Sequence, residues 1–128
     1  MRFMMLILPK GYEGAPEGTM PDPKSVEEMM KYNRSLKKAG VLLAVDGLHP
    51  PAVGARVSFA GGRSTVSDGP FAEAKEVVGG YWLISVKSRE EAIEWARRCP
   101  AGDGNTIEVL QVHEFADFPT EVQQVVRW

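Results

Sequence analysis

Two stretches of this chain pair a serine with a glutamate three residues on, Ser25 with Glu28 and Ser88 with Glu91, and each sits between short apolar runs. A serine oxygen at a helix start accepts a free backbone N–H while the glutamate reaches back, so the pattern marks two helix N-termini. After Ser25, the residues Val26, Met29, Met30 and Leu36 recur at helical spacing until Gly40, which reads as a glycine cap. After Ser88, Ala92, Ile93 and Ala96 keep the same period. The runs Arg2 to Leu8, Val41 to Val45, Tyr81 to Val86 and Thr106 to His113 are short enough to read as strands.

Between the second and third of these runs, Ala55 to Ala60 and Ser64 to Ser67 flank Gly61-Gly62, a pair suited to the positive φ of a hairpin turn. Lys10 to Pro23 is rich in glycine and proline and reads as an exposed loop, and Thr120 to Val126 as a short closing helix. The order is therefore β-α-β-hairpin-β-α-β. It predicts an α+β fold of ferredoxin-like, split βαβ type, with both helices on one face of a mostly antiparallel sheet. Tyr81 to Val86 and Ile107 to His113 are apolar in both alternating phases, which calls for cover on both sheet faces. Helices cover one; a homodimer that joins two sheets into an α/β barrel would cover the other.

The chain has 128 residues, 44% of them hydrophobic, which fits a single domain over residues 1–128. Its net charge of −2 comes from interspersed residues of both signs, without the basic stripe that direct nucleic-acid binding needs. The apolar run from Phe3 to Leu8 stops at Pro9-Lys10-Gly11, below the length of a signal-peptide core, and no other run is long enough to span a bilayer. A lone cysteine, Cys99, suits a reducing compartment, so the expectation is a soluble, cytoplasmic protein with no membrane partner. Cys99 is in phase with Ala92 and Ala96, which makes it a small buried hydrophobe rather than a nucleophile.

The chemistry concentrates in Asp68-Gly69-Pro70-Phe71-Ala72-Glu73-Ala74-Lys75-Glu76, a charged loop between two strand-like segments. Asp68 stands at a strand exit stiffened by Pro70, where its carboxylate either serves a site or closes an Asx-type turn. Glu73, Lys75 and Glu76 add two carboxylates and an ammonium, enough to support acid–base work or to form a solvated ion cluster. Phe71 reads as an anchor of this loop in the core. His49, in Leu48-His49-Pro50-Pro51, is the leading acid–base candidate because imidazole titrates near neutral pH.

His113 reads as structural, on the same strand face as Ile107, Val109 and Gln111. Glu108 faces the other way and needs a partner if enclosed, Arg56 or Lys75 being the candidates. Neither histidine has metal-ligand spacing, and Gly61-Gly62 and Gly79-Gly80 lack the strand-to-helix context of a phosphate loop. No metal or cofactor is therefore expected. Gly79-Gly80 reads as a close-packing pair.

The loop Asp68 to Glu76 resembles the signature of the DGPF group of YCII-related (YciI-like) proteins, usually Asp-Gly-Pro-Phe-Ala-Glu-Thr-Lys-Glu. The resemblance extends to Phe3-Met4-Met5-Leu6-Ile7, Ala39-Gly40-Val41-Leu42, Gly47-Leu48-His49-Pro50 and Ile107-Glu108-Val109. It implies the dimeric ferredoxin-like α/β barrel of that family, and a His–Asp pair made here of His49 and Asp68. Leu110-Gln111 departs from the family's Arg-Pro, so any anion-binding role of that arginine would fall to Arg56 or Arg63. Two functions fit. One is a small cofactor-independent enzyme performing lyase- or isomerase-type proton transfer on a small molecule in a dimer pocket. The other is a non-catalytic ligand-binding or regulatory module linked in trans to sigma-factor-dependent transcription, as the family's association with sigma factors implies.

Overall fold

A computed structural model describes residues 1–71 and 76–126. Its elements are β1 (Arg2–Leu8), α1 (Pro23–Lys38), β2 (Leu42–Gly47), β3 (Ala55–Ala60), β4 (Arg63–Asp68), β5 (Gly80–Ser85), α2 (Arg89–Arg97), β6 (Thr106–Gln111) and α3 (Thr120–Gln123). Four strands form one sheet in the order β2-β5-β1-β6, with every neighbouring pair antiparallel, while β3 and β4 pair only with each other. β1 and β2 therefore run parallel with β5 between them, and β5 and β6 parallel with β1 between them, so each β-α-β unit is split by a strand of the other. The fold is α+β with antiparallel pairing. The described sheets do not close into a barrel.

Both helices pack on one sheet face. Phe3 and Met5 of β1 and Trp82 and Ile84 of β5 are buried against Tyr32 and Leu36 of α1 and Ala92 of α2, with Ile107 and Val109 of β6 packed partly onto them. Trp82 is fixed twice, by its indole N–H donating to Asn33 Oδ1 at 2.7 Å and by an edge-to-face contact with Tyr32 at 5.7 Å. The Tyr32 hydroxyl in turn donates to the Trp95 carbonyl at 2.6 Å, which ties α1 to α2.

The opposite sheet face is open. In the observed register Met4 lies between Leu83 and Leu110, and Leu6 between Tyr81 and Glu108, all pointing away from the helices. Leu110 remains 48% exposed. The burial of both faces expected from the sequence is thus absent from the single chain, because its helices supply cover for only one.

Local capping differs from the serine pattern at α1. The helix starts at Pro23, two residues before Ser25, and Asp22 is the cap, accepting from the Ser25 N–H at 3.0 Å. Proline at the first helical position and aspartate before it are a stronger start than an internal serine. At α2 the expectation holds: Ser88 Oγ accepts from the Glu91 N–H at 3.1 Å, while Glu91 accepts from the Lys87 N–H at 2.9 Å. Gly40 ends α1 with φ 76°, and Gly61-Gly62 turn the hairpin with φ 57° and 76°.

The last strand stops at Gln111, so strand alternation does not orient His113; its ring stacks on Phe118 at 5.0 Å. Next to it Glu114 takes two hydrogen bonds from the Arg2 guanidinium, at 2.8 and 3.3 Å, joining the C-terminal turn to β1.

Candidate functional site

Four loops meet at the sheet end formed by the exits of β1 and β2 and the entry of β5. Leu48 N–H donates to the Gly79 carbonyl at 2.9 Å, and Gly79 N–H to that of Ile7 at 2.8 Å. Gly79 must be glycine, since a Cβ there would lie 2.5 Å from Pro9 Cγ. This is the close-packing role expected of Gly79-Gly80. Tyr12, on a 3-10 turn Tyr12–Gly14, reaches across to donate its hydroxyl to the Leu48 carbonyl at 2.5 Å.

The segment after Leu48 is held rigidly. Pro50 is fully buried, and Pro51–Val53 forms a second 3-10 turn. Onto this turn packs the start of the signature loop: Gly69 N–H donates to the Gly54 carbonyl at 2.9 Å, and a Cβ on Gly69 would fall 1.6 Å from the Pro51 carbonyl oxygen. The chain thus presses Gly69 against Pro51, in the segments that carry Asp68 and His49. Gly69-Pro70 is a cis peptide bond.

His49 and Asp68 are both exposed, and among the described residues their side chains make no hydrogen bond or ion pair, with each other or with any other group. The fold brings their segments together without pairing the side chains. Asp68 closes the hairpin opposite Ala55 and does not form the Asx-type turn, the alternative to a site role, since the residue two on is Pro70, which has no N–H to donate. Glu76 is exposed; Glu73 and Lys75 lie outside the described residues.

Phe71 is not a core anchor. It is half-buried beneath the Arg56 guanidinium, whose carbon lies 4.2 Å from the ring centre. Arg56 is thereby occupied and does not pair with Glu108, which is exposed and has no ion pair among the described residues. An exposed carboxylate on an open face needs no partner in the single chain; Lys75, the other partner considered, lies outside the described residues.

Three features were missed by sequence reasoning. Tyr81 donates its hydroxyl to Asp46 Oδ2 at 3.1 Å across the β2–β5 pair, and this bond, with the charge of Asp46, raises the tyrosine's pKa. Burial raises that of Tyr12. Glu13 carries a buried Oε2 with no partner among the described residues. Tyr12 and Glu13 sit in a loop whose composition says only that it turns, and Asp46 meets Tyr81 only through strand register.

His49, Asp68 and Glu76 are all exposed. Among the described residues no three metal-ligating side chains gather to hold an ion, and no helix is long and apolar enough to cross a membrane. Cys99 takes no part, since it lies between α2 and Met29 and burial pushes its thiol pKa up to about 11.

An uncharacterised protein of Rhizobium meliloti (strain 1021) is 36% identical to the chain over 76 residues, which make up 59% of this chain and 61% of the relative. The family model for the YCII-related domain matches residues 1–116, taking in both split β-α-β units, the hairpin and the Asp68 to Glu76 loop. The chain belongs to the YCII-related family.

Proposed function

We propose that this protein is a homodimeric, cytoplasmic acid–base enzyme that acts on a small molecule, without metal or organic cofactor, where His49 and Asp68 face the solvent side of the four-loop cluster. The observation that carries this reading is the contact of Gly69 with the Pro51 carbonyl, which holds the His49 and Asp68 segments in one place. A carboxylate beside an imidazole is a common way to orient a general base. Glu76 stands at the far end of the same loop, with Glu73 and Lys75 between, to complete the site. The partner's sheet would cover the open face of Met4, Leu6, Leu83 and Leu110 and convert the row Asp46, Tyr81, Leu6 and Glu108 into the wall of a ferredoxin-like α/β barrel.

A second reading is favoured by the exposure of His49 and Asp68 without a hydrogen bond or ion pair between their side chains. In it the same cluster binds a ligand without turnover and serves regulation, in trans, of sigma-factor-dependent transcription. Deuterium exchange separates the two. Enolisable keto acids and lactones are incubated with the protein in D2O and followed by NMR. The enzyme reading expects exchange next to the carbonyl that His49→Ala abolishes while the urea midpoint stays unchanged. Ligand-induced shifts at the cluster without exchange in any compound would favour the binding module instead.

A further inference from the structure

A groove of about 540 Å³ opens between α2 and the edge strand β6. It lies on the helical side of the sheet, because Ile107 and Val109 share the face of the buried Met5, and so away from the row of Asp46, Tyr81, Leu6 and Glu108. Ile93 and Ala96 of α2 and Ile107 and Val109 of β6 give it an apolar floor, all four half-buried. Its volume suits a small molecule.

The rim carries one charge of each sign. Arg97, in the last turn of α2, and Asp103, in the loop that leads to β6, both line the groove and are exposed. Among the described residues their side chains make no hydrogen bond or ion pair, with each other or with any other group. The loop that carries Asp103 is tied down. It turns at Gly102 and Gly104, with φ 82° and 85°, and Asn105 accepts from the Lys10 N–H at 2.8 Å while its amide donates to the Ala101 carbonyl. A rim held in this way needs little ordering to receive a ligand.

We infer that this groove binds a small zwitterion with a hydrocarbon side chain, an apolar α-amino acid such as leucine, with its carboxylate on Arg97, its ammonium on Asp103 and its side chain on the floor. Charge complementarity selects this occupant. A simple carboxylic acid would pair with Arg97 but bring a second negative charge to Asp103, and an alkylamine would set a second positive charge beside Arg97. A sugar would press hydroxyls onto a floor that offers them no partner. A molecule with both charges and an apolar body satisfies all three surfaces, and the guanidinium holds a carboxylate by two directed hydrogen bonds. The site is separate from the His49 and Asp68 cluster and does not depend on the reaction proposed there.

The test is an amide NMR titration of the full chain with leucine, with leucinamide, which lacks the carboxylate, and with isocaproate, which lacks the ammonium. The inference expects leucine to move the signals of residues 93–109 in a saturable manner, and the loss of either charge from the ligand to weaken binding by about fivefold or more. Arg97→Gln and Asp103→Asn should each weaken leucine binding to the same degree; neither side chain has a partner among the described residues, so neither substitution removes a contact of the fold. Absence of a saturable change with leucine, changes confined to other residues, isocaproate or leucinamide binding as tightly as leucine, or unchanged affinity in the two variants overturns the inference. So does a groove whose signals move with protein concentration and not with leucine, an outcome that would give it to a second copy of the chain.

Discussion

At the residue scale, the glycine of the signature sits where a backbone contact leaves no room for a side chain. Gly69→Ala would drive a Cβ into the Pro51 carbonyl, and neither group is the free end of a flexible side chain. The expected cost is about 1–3 kcal/mol, as for overpacking, read from the urea midpoint. Cys99 gives a second, chemical test. Burial raises its thiol from 9.0 to about 11, so at pH 8 the native thiolate fraction is about a hundredfold lower than in the unfolded chain. Thiol labelling in the native state should slow to match, and rapid native labelling would contradict the burial. Because the folded pKa is the higher one, this stabilising contribution is complete below pH 9 and is lost as pH rises through about 11. The apolar phase of Cys99 with Ala92 and Ala96 made its packing against the core legible in the sequence, although the residue is half-buried and not fully buried. The fate of Phe71 was not, since a ring under an arginine and a ring in a core share one sequence pattern.

At the scale of elements, periodicity located the strands and helices while side-chain chemistry left their ends ambiguous. Two serines with glutamates three residues on looked alike, yet Ser88 caps α2 and Ser25 lies inside α1 behind Asp22 and Pro23. Replacement by alanine tests the difference. Ser88→Ala should cost about 1 kcal/mol in thermal or urea unfolding. Asp22→Ala should lower the melting temperature more than Ser25→Ala, because the aspartate accepts both the Ser25 N–H and its hydroxyl. Equal effects of the two α1 variants would return the cap to Ser25. The hairpin turn was legible at Gly61-Gly62 for a plain reason: both glycines adopt positive φ, which other residues avoid. That the hairpin leaves the main sheet was not legible, since strand pairing is a property of register and not of any one segment.

At the scale of the whole molecule, the sheet has one dry face and one open one. A buried aspartate cannot be accommodated in a dimer that covers Leu83, yet on the open face of a monomer it costs little. Leu83→Asp should therefore give a monomer by light scattering with an unchanged far-UV circular dichroism spectrum, provided the wild type is a dimer under the same conditions. A variant that remains dimeric would place the interface elsewhere. The sequence alone determined the family signature, the β-α-β-hairpin-β-α-β order and the candidates His49 and Asp68, because each is written in local residue types and spacings. Tertiary structure alone decided that Gly69 seats on Pro51, that Asp46 meets Tyr81, and that the two candidates stand in neighbouring segments without a side-chain hydrogen bond or ion pair between them. These relations join residues far apart in the chain, and only the register of strands and the packing of loops sets their distances.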